Sequence, residues 1–126
     1  MLDRLDLQVE VPALTSEELL RMTPGVTSDT VRERVRATRT RQAARGALNS
    51  QLPTPALREH AALDGAGRRL VADAVDRAGL SARAVHRALR VARTIADLAG
   101  EPDVSAMRLA EALQLRAYEG RYRAPD

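Results

Sequence analysis

Lysine is absent from this chain, and all twenty of its basic residues are arginine. A phosphate-binding loop of the GxxxxGK(S/T) kind needs a lysine whose ammonium reaches the β- and γ-phosphates, behind a glycine-rich turn whose N–H groups cradle them. Neither part is present, nor is an apolar run that ends in acidic residues, so the chain cannot bind and hydrolyse ATP on its own by that mechanism. Cysteine is absent too, which excludes disulfides and thiolate metal sites and fits a reducing compartment. There is no phenylalanine or tryptophan, and Tyr118 and Tyr122 are the only tyrosines. The core must therefore be made of Leu, Val, Ile and Ala. No apolar stretch is long enough to span a bilayer, and no charged region followed by an apolar signal core opens the chain. A cytoplasmic protein with no membrane partner is the expectation.

What is present suits helices. The 126 residues are enough for one domain, which would bury a little over about 60% of its unfolded surface. A formal charge of +3 and an isoelectric point near 10.4 make the placement of arginine matter more than the sum. Leu5, Leu7, Val9 and Val11 alternate with Asp6, Gln8 and Glu10, the period of a half-buried strand, which Pro12 stops. A lone strand has no pairing partner, so it would be loose or borrow a surface. Thr15 or Ser16 caps a short helix, SEELLRM, with acidic residues in its first turn. Ser28 or Asp29 opens a long one, DTVRERVRATRTRQAAR, with Val31, Val35 and Ala43 on its apolar side and Gly46 behind it.

LNSQLPTP interrupts the pattern, and Thr54 starts a single turn through His60. From Asp64 to Ala78 a further helix presents Leu70, Val71, Ala74, Val75 and Ala78, and Gly79 closes it. Ser81 caps a helix with Val85, Ala88, Leu89, Ala92, Ile95, Ala96 and Ala99 on one stripe, ended by Gly100 and Pro102. Ser105 caps AMRLAEALQLRAY, which buries Leu109, Ala110 and Leu113. The expected fold class is all-α, a small bundle of four to five helices with one short N-terminal strand. Residues 1–12 form the strand segment, 13–118 the helical domain and 119–126 a flexible tail.

Two stretches carry a resemblance. Leu80 to Arg116, LSARAVHRALRVARTIADLAGEPDVSAMRLAEALQLR, resembles the lid helices that bear the sensor-2 arginine in the magnesium-chelatase and MCM branch of AAA+ proteins. The opening MLDRLDLQVEV resembles the LLDR(I/F)D segment that bears the arginine finger in the same branch. Together they cover most of the chain, which is similar to the C-terminal part of magnesium-chelatase-related ATPases of the ComM/YifB type. The resemblance implies that residues 1–12 are the last strand of an ATPase core and that the helices are its lid.

In such rings the transferred phosphoryl group gathers negative charge, and an always-protonated planar guanidinium beside it offers fixed donors. The resemblance places that role on Arg4 of LDRLDL, reaching the neighbouring subunit's nucleotide, and on Arg83 of LSARAVHR, touching the nucleotide of its own subunit. Arg87 and Arg90 share a face with Arg83 and could join the nucleotide site; alternatively Arg83, Arg87, Arg90 and Arg93 are a solvated face balanced by Asp97. ATP and magnesium would belong to the parent ring, hexamer-like, with the rest of the chain and neighbouring subunits as partners. The isolated chain is expected to be a catalytically silent monomer holding no cofactor.

The long helix carries Arg32, Arg34, Arg36, Arg39, Arg41 and Arg45 against Asp29 and Glu33. Guanidinium pairs bidentately with phosphate oxygens, so this density suits DNA. The arginines occupy several sides of the helix, however, and no aromatic is interleaved to stack on bases. Family members have a similar helix followed by an asparagine-containing loop, here LNSQL, so a subunit or domain contact, or a plain solvated helix, competes with DNA. His60 and His86 are isolated and match no zinc or catalytic pattern, and Asp103 and Glu111 suit helix electrostatics. No metal site is expected, and nothing argues for inserting magnesium into a porphyrin. Three functions compete: a lid of a ring ATPase acting on DNA, a stand-alone basic nucleic-acid-binding module, and a protein-interaction domain.

Overall fold

The computed structural model of the chain describes residues 5–21 and 25–116. Six α-helices follow one another: α1 (Ser16–Arg21), α2 (Ser28–Ala44), α3 (Thr54–His60), α4 (Gly65–Ala78), α5 (Ala82–Ala99) and α6 (Ala106–Gln114), with a 3-10 turn at Asn49–Gln51. The fold is an all-helical bundle, as expected, with α1 and α3 adding short helices to the four longer ones. Among the described residues there is no strand. Residues 5–11 keep their alternating pattern but have no ladder to join. Instead, the Gln8 N–H donates to the Leu115 carbonyl at 2.8 Å, so the segment lies against the end of α6.

Local chemistry sets most helix ends. Thr15 and Glu18 form a reciprocal box at α1, each side chain accepting from the other's backbone N–H at 3.1 and 3.0 Å. The caps of α4, α5 and α6 are Asp64, Ser81 and Ser105, whose side chains accept from Gly67, Ala84 and Arg108 N–H groups. At α2 the cap is Thr27, one residue before the expected Ser28, with its hydroxyl taking the Thr30 N–H. Gly100 ends α5 in the left-handed conformation at φ 72°, and the bonds Gly100 N–H to Asp97 and Glu101 N–H to Ala96 complete a Schellman turn.

Helix α5 is the centre, packing on α6, α2, α3 and the 3-10 turn. The buried apolar residues are Leu52, Leu57, Ala61, Ala88, Leu89, Ala92, Ala96, Val104, Leu109 and Ala112. Ala88, Leu89, Ala92 and Ala96 fall on the stripe expected for α5, while Ala99 is exposed; α6 buries Ala112 with Leu109, and Ala110 and Leu113 are half-buried. On α4, Leu70, Val71 and Ala74 are half-buried, but Val75 and Ala78 face solvent. The expected apolar side of α2 is the wrong side: Val31 and Val35 are exposed, and Thr38 and Gln42 are buried. Polar groups, and not valines, attach this helix to the bundle.

Candidate functional site

One open groove of about 900 Å³ runs along the outer side of α5. Arg83, His86, Arg87 and Arg90 border it, Ile95 and Leu98 lie further along, and Asp6 and Leu7 of the N-terminal segment meet it. Arg83 is in the first turn of α5, exposed, with no ion pair among the described residues. Arg87 is held by Asp6 through Nε and Oδ1, an ion pair spanning 81 residues. Arg90 donates through Nη2 to the Leu52 carbonyl at 2.9 Å, anchoring the groove's edge to the 3-10 turn. The structure thus brings Arg83 and Arg87 to one cleft, with fixed donors suited to phosphate oxygens. Arg4 lies outside the described residues. No group of three or more metal-ligating side chains meets among the described residues.

The solvated face suggested for α5 divides in two. Arg93 and Asp97 are not on it: their side chains are 1% and 0% exposed. The Asp97 carboxylate accepts from Arg45 through both guanidinium Nη atoms, from Arg93 Nε at 3.2 Å and from Asn49 Nδ2 at 2.9 Å. The other Arg93 donors reach the carbonyls of His60 at 2.9 Å, Pro102 at 2.9 Å and Glu101 at 2.7 Å. Asn49 also donates from its backbone to Gln42 Oε1 at 2.9 Å and from Nδ2 to Thr94 Oγ1 at 3.0 Å. Every partner that a buried charge requires is supplied. Burial alone would push the Asp97 carboxyl up, but the hydrogen bonds from Arg45 and Asn49 and the charges of Arg93 and Arg45 outweigh it. The carboxyl is held below its ordinary value. The bond to Asp97 raises the Arg45 guanidinium, against the opposing effect of burial.

This hub alters the picture of the arginine-rich helix. Arg45 is committed to Asp97, and Arg41 donates to the Asp97 carbonyl at 2.6 Å, so these two point at α5 and are not available to track phosphates. Arg32, Arg34, Arg36 and Arg39 are exposed. Arg32 pairs with Asp29 and Arg36 with Glu33 on the helix surface, and Arg34 and Arg39 make no ion pair among the described residues. Neither His60 nor His86 is fully exposed. Glu111 pairs with Arg108, which also holds Glu101. Asn49, Arg93 and Asp97 were the residues whose roles the sequence concealed, although Arg93 and Asp97 are four apart and flank the apolar stripe of α5.

Fold and groove together define a helical domain that presents arginines, and its sequence has no phosphate-binding loop. The chain belongs to the magnesium chelatase, subunit ChlI C-terminal family, whose model matches residues 25–116. It is 42% identical over 118 residues to the competence protein ComM of Haemophilus influenzae, a match covering 92% of this chain and 23% of that protein. It is 39% identical over 121 residues to the uncharacterized protein YifB of Escherichia coli, covering 94% and 24%. An uncharacterized protein of Mycobacterium tuberculosis is 34% identical over 121 residues, with 92% and 24% covered. The chain spans about a quarter of the length of these curated relatives.

Proposed function

We propose that this chain is the C-terminal helical lid of a ring-forming AAA+ ATPase of the ComM type, supplying arginines to ATP hydrolysis on an ATPase core elsewhere in the parent. The observation that supports it most is Arg83, in the first turn of α5 with no ion pair among the described residues, beside Arg87 in an open groove. A guanidinium there can pair with phosphate oxygens without changing its own charge. Arg87 holds Asp6 through Nε, which links the nucleotide site to the segment carrying Arg4. Bound magnesium would neutralise phosphate charge, and its ligands would come from the core, because no three metal-ligating side chains meet among the described residues of this domain. A cytoplasmic setting and action on DNA belong to the same proposal, the latter in keeping with the similarity to a competence protein. No helix among the described residues is long and apolar enough to cross a membrane.

Mixed rings of the full-length parent test the assignment. Arg4→Ala should lower turnover by roughly 10³-fold or more, as loss of an arginine finger does, and its defect should appear in the neighbouring subunit. Arg83→Ala should also lower turnover, but within its own subunit. Combining each variant with subunits whose phosphate-binding loop is inactivated separates the two. Identical complementation by Arg4→Ala and Arg83→Ala would refute the division into one residue in trans and one in cis.

The second reading, a basic nucleic-acid-binding module, is favoured by the exposed Arg32, Arg34, Arg36 and Arg39 on α2. It requires affinity for DNA that falls as salt rises.

A further inference from the structure

Fourteen large apolar side chains are exposed among the described residues, and ten of them lie before residue 36. Exposed apolar side chains that gather in one region mark contact surfaces more often than chance exposure does. Here they form two surfaces of opposite charge. Residues 5–21 carry Asp6, Glu10, Glu17 and Glu18 against Arg21 alone. Helix α2 carries five arginines against Asp29 and Glu33.

The apolar sides of α1 and α2 are both left uncovered by the described residues. Helix α1 buries no residue, and Leu19 and Leu20 are 58% and 83% exposed. On α2, Val31 and Val35 lie one turn apart and, with Val26, line a shallow groove of about 510 Å³ bordered by Arg32, Arg36 and Arg39. The bundle does not use this side, since α2 is fastened to α5 through Arg41 and Arg45. Nor does the chain's own α1 cover it, because Val26, Val31 and Val35 remain 74%, 45% and 42% exposed.

We infer that this groove on α2 docks the α1 segment of a second copy of the chain, with Leu19 and Leu20 entering between the valines and Glu17 and Glu18 facing Arg32, Arg36 and Arg39. The contact joins two different patches, so it is head-to-tail and propagates from copy to copy, closing a ring if the rotation allows. Its charges set orientation and partner choice more than affinity. The inference does not depend on any nucleotide role for Arg83, and its test contains no nucleotide.

The absence of cysteine makes the test direct, because any introduced thiol is unique. Chains of these 126 residues bearing Leu20→Cys are mixed with chains bearing Val35→Cys under mild oxidation. The expected product is the mixed-site dimer, in excess over both same-site dimers. Adding Arg32→Glu, Arg36→Glu and Arg39→Glu to the Val35→Cys chain should cut its yield about tenfold, the scale of a few ion pairs turned to repulsion. Placing Glu17→Arg and Glu18→Arg on the partner should restore it. If the reversed chains lose helical circular dichroism, raising salt with the unreversed chains gives the same discrimination, since the yield must fall as exposed charges are screened. Same-site dimers alone would overturn the inference. So would closure of a Leu20→Cys/Val35→Cys chain on itself at a concentration-independent rate, which would assign the groove to the chain's own α1. Suppression of the mixed dimer by added duplex DNA would give the surface to nucleic acid.

Discussion

Asp97→Asn removes one charge from the buried hub while keeping the side chain's shape. In the native domain this carboxylate answers Arg45 and Arg93 together, and it is fully buried. The amide cannot accept the bidentate pair from Arg45, and it turns an N–H₂ toward a guanidinium. Arg93 keeps its three carbonyl acceptors but loses its buried counter-charge. Leaving a buried ion without its partner costs about 3–5 kcal/mol, a large share of the roughly 5–15 kcal/mol that holds a typical domain together. At about 4 °C per kcal/mol for a domain of this size, the melting midpoint should fall by at least about 12 °C. Thermal melting followed at 222 nm measures it, with Glu33→Gln on the exposed Arg36 pair as a control expected to change stability by less than about 0.5 kcal/mol. The pH dependence has a definite sign. Because the Asp97 carboxyl is held below its ordinary value, its stabilisation is fully present above the unfolded value of about 3.9 and is lost as pH falls through the lower folded value. Below about pH 4 the wild type should therefore lose stability more steeply than the Asn variant. A loss under about 1 kcal/mol at neutral pH would refute the reasoning, since no buried pair of this kind is that weak when broken.

Gly100→Ala should cost about 1–2 kcal/mol, because φ is 72° and the added Cβ would sit 3.4 Å from Arg41 Nη2; an unchanged urea midpoint would deny the strain. Ser81→Ala should cost about 1 kcal/mol through the lost α5 cap, measured by the same titration. If α2 binds DNA, Arg34→Gln, Arg36→Gln and Arg39→Gln together should flatten the salt dependence by up to about three units of slope while the helix survives. Arg41→Gln with Arg45→Gln should instead lower the melting midpoint, since both side chains serve Asp97.

Helix starts and stops were legible where a single residue type decides them. Ser81 and Ser105 cap, and Gly79 and Gly100 end helices with positive φ, as their positions in the pattern predict, while Asp64, expected inside α4, caps it. The apolar stripe of α5 was equally plain. The hub was not, because an arginine and an aspartate four residues apart on a helix are the common signature of an exposed pair. The available clue was their place on the wheel, next to Leu89 and Ala96, where solvent could not follow. For α2 the valines misled: its attachment is made by Arg41 and Arg45, which answer Asp97, 56 and 52 positions later, and by Gln42, which answers the turn at Asn49. No local periodicity encodes such partners. Residues 5–11 form no ladder for a related reason, since alternation describes a face but does not supply a neighbouring strand.

Half of the buried apolar residues, Ala61, Ala88, Ala92, Ala96 and Ala112, are alanines. A methyl group leaves almost nothing to remove, so the truncations that hollow out leucine-rich interiors have little purchase along the meeting line of α5 and α6. Enlargement is the dangerous direction. A single added isopropyl group at Ala92 or Ala96, where no surface is left uncovered, must prise two backbones apart along their whole contact. Substitutions tolerated through evolution in this seam should therefore run among Ala, Gly and Ser, whereas variation in bulk should collect at Leu52, Leu57 and Val104, where neighbours can repack.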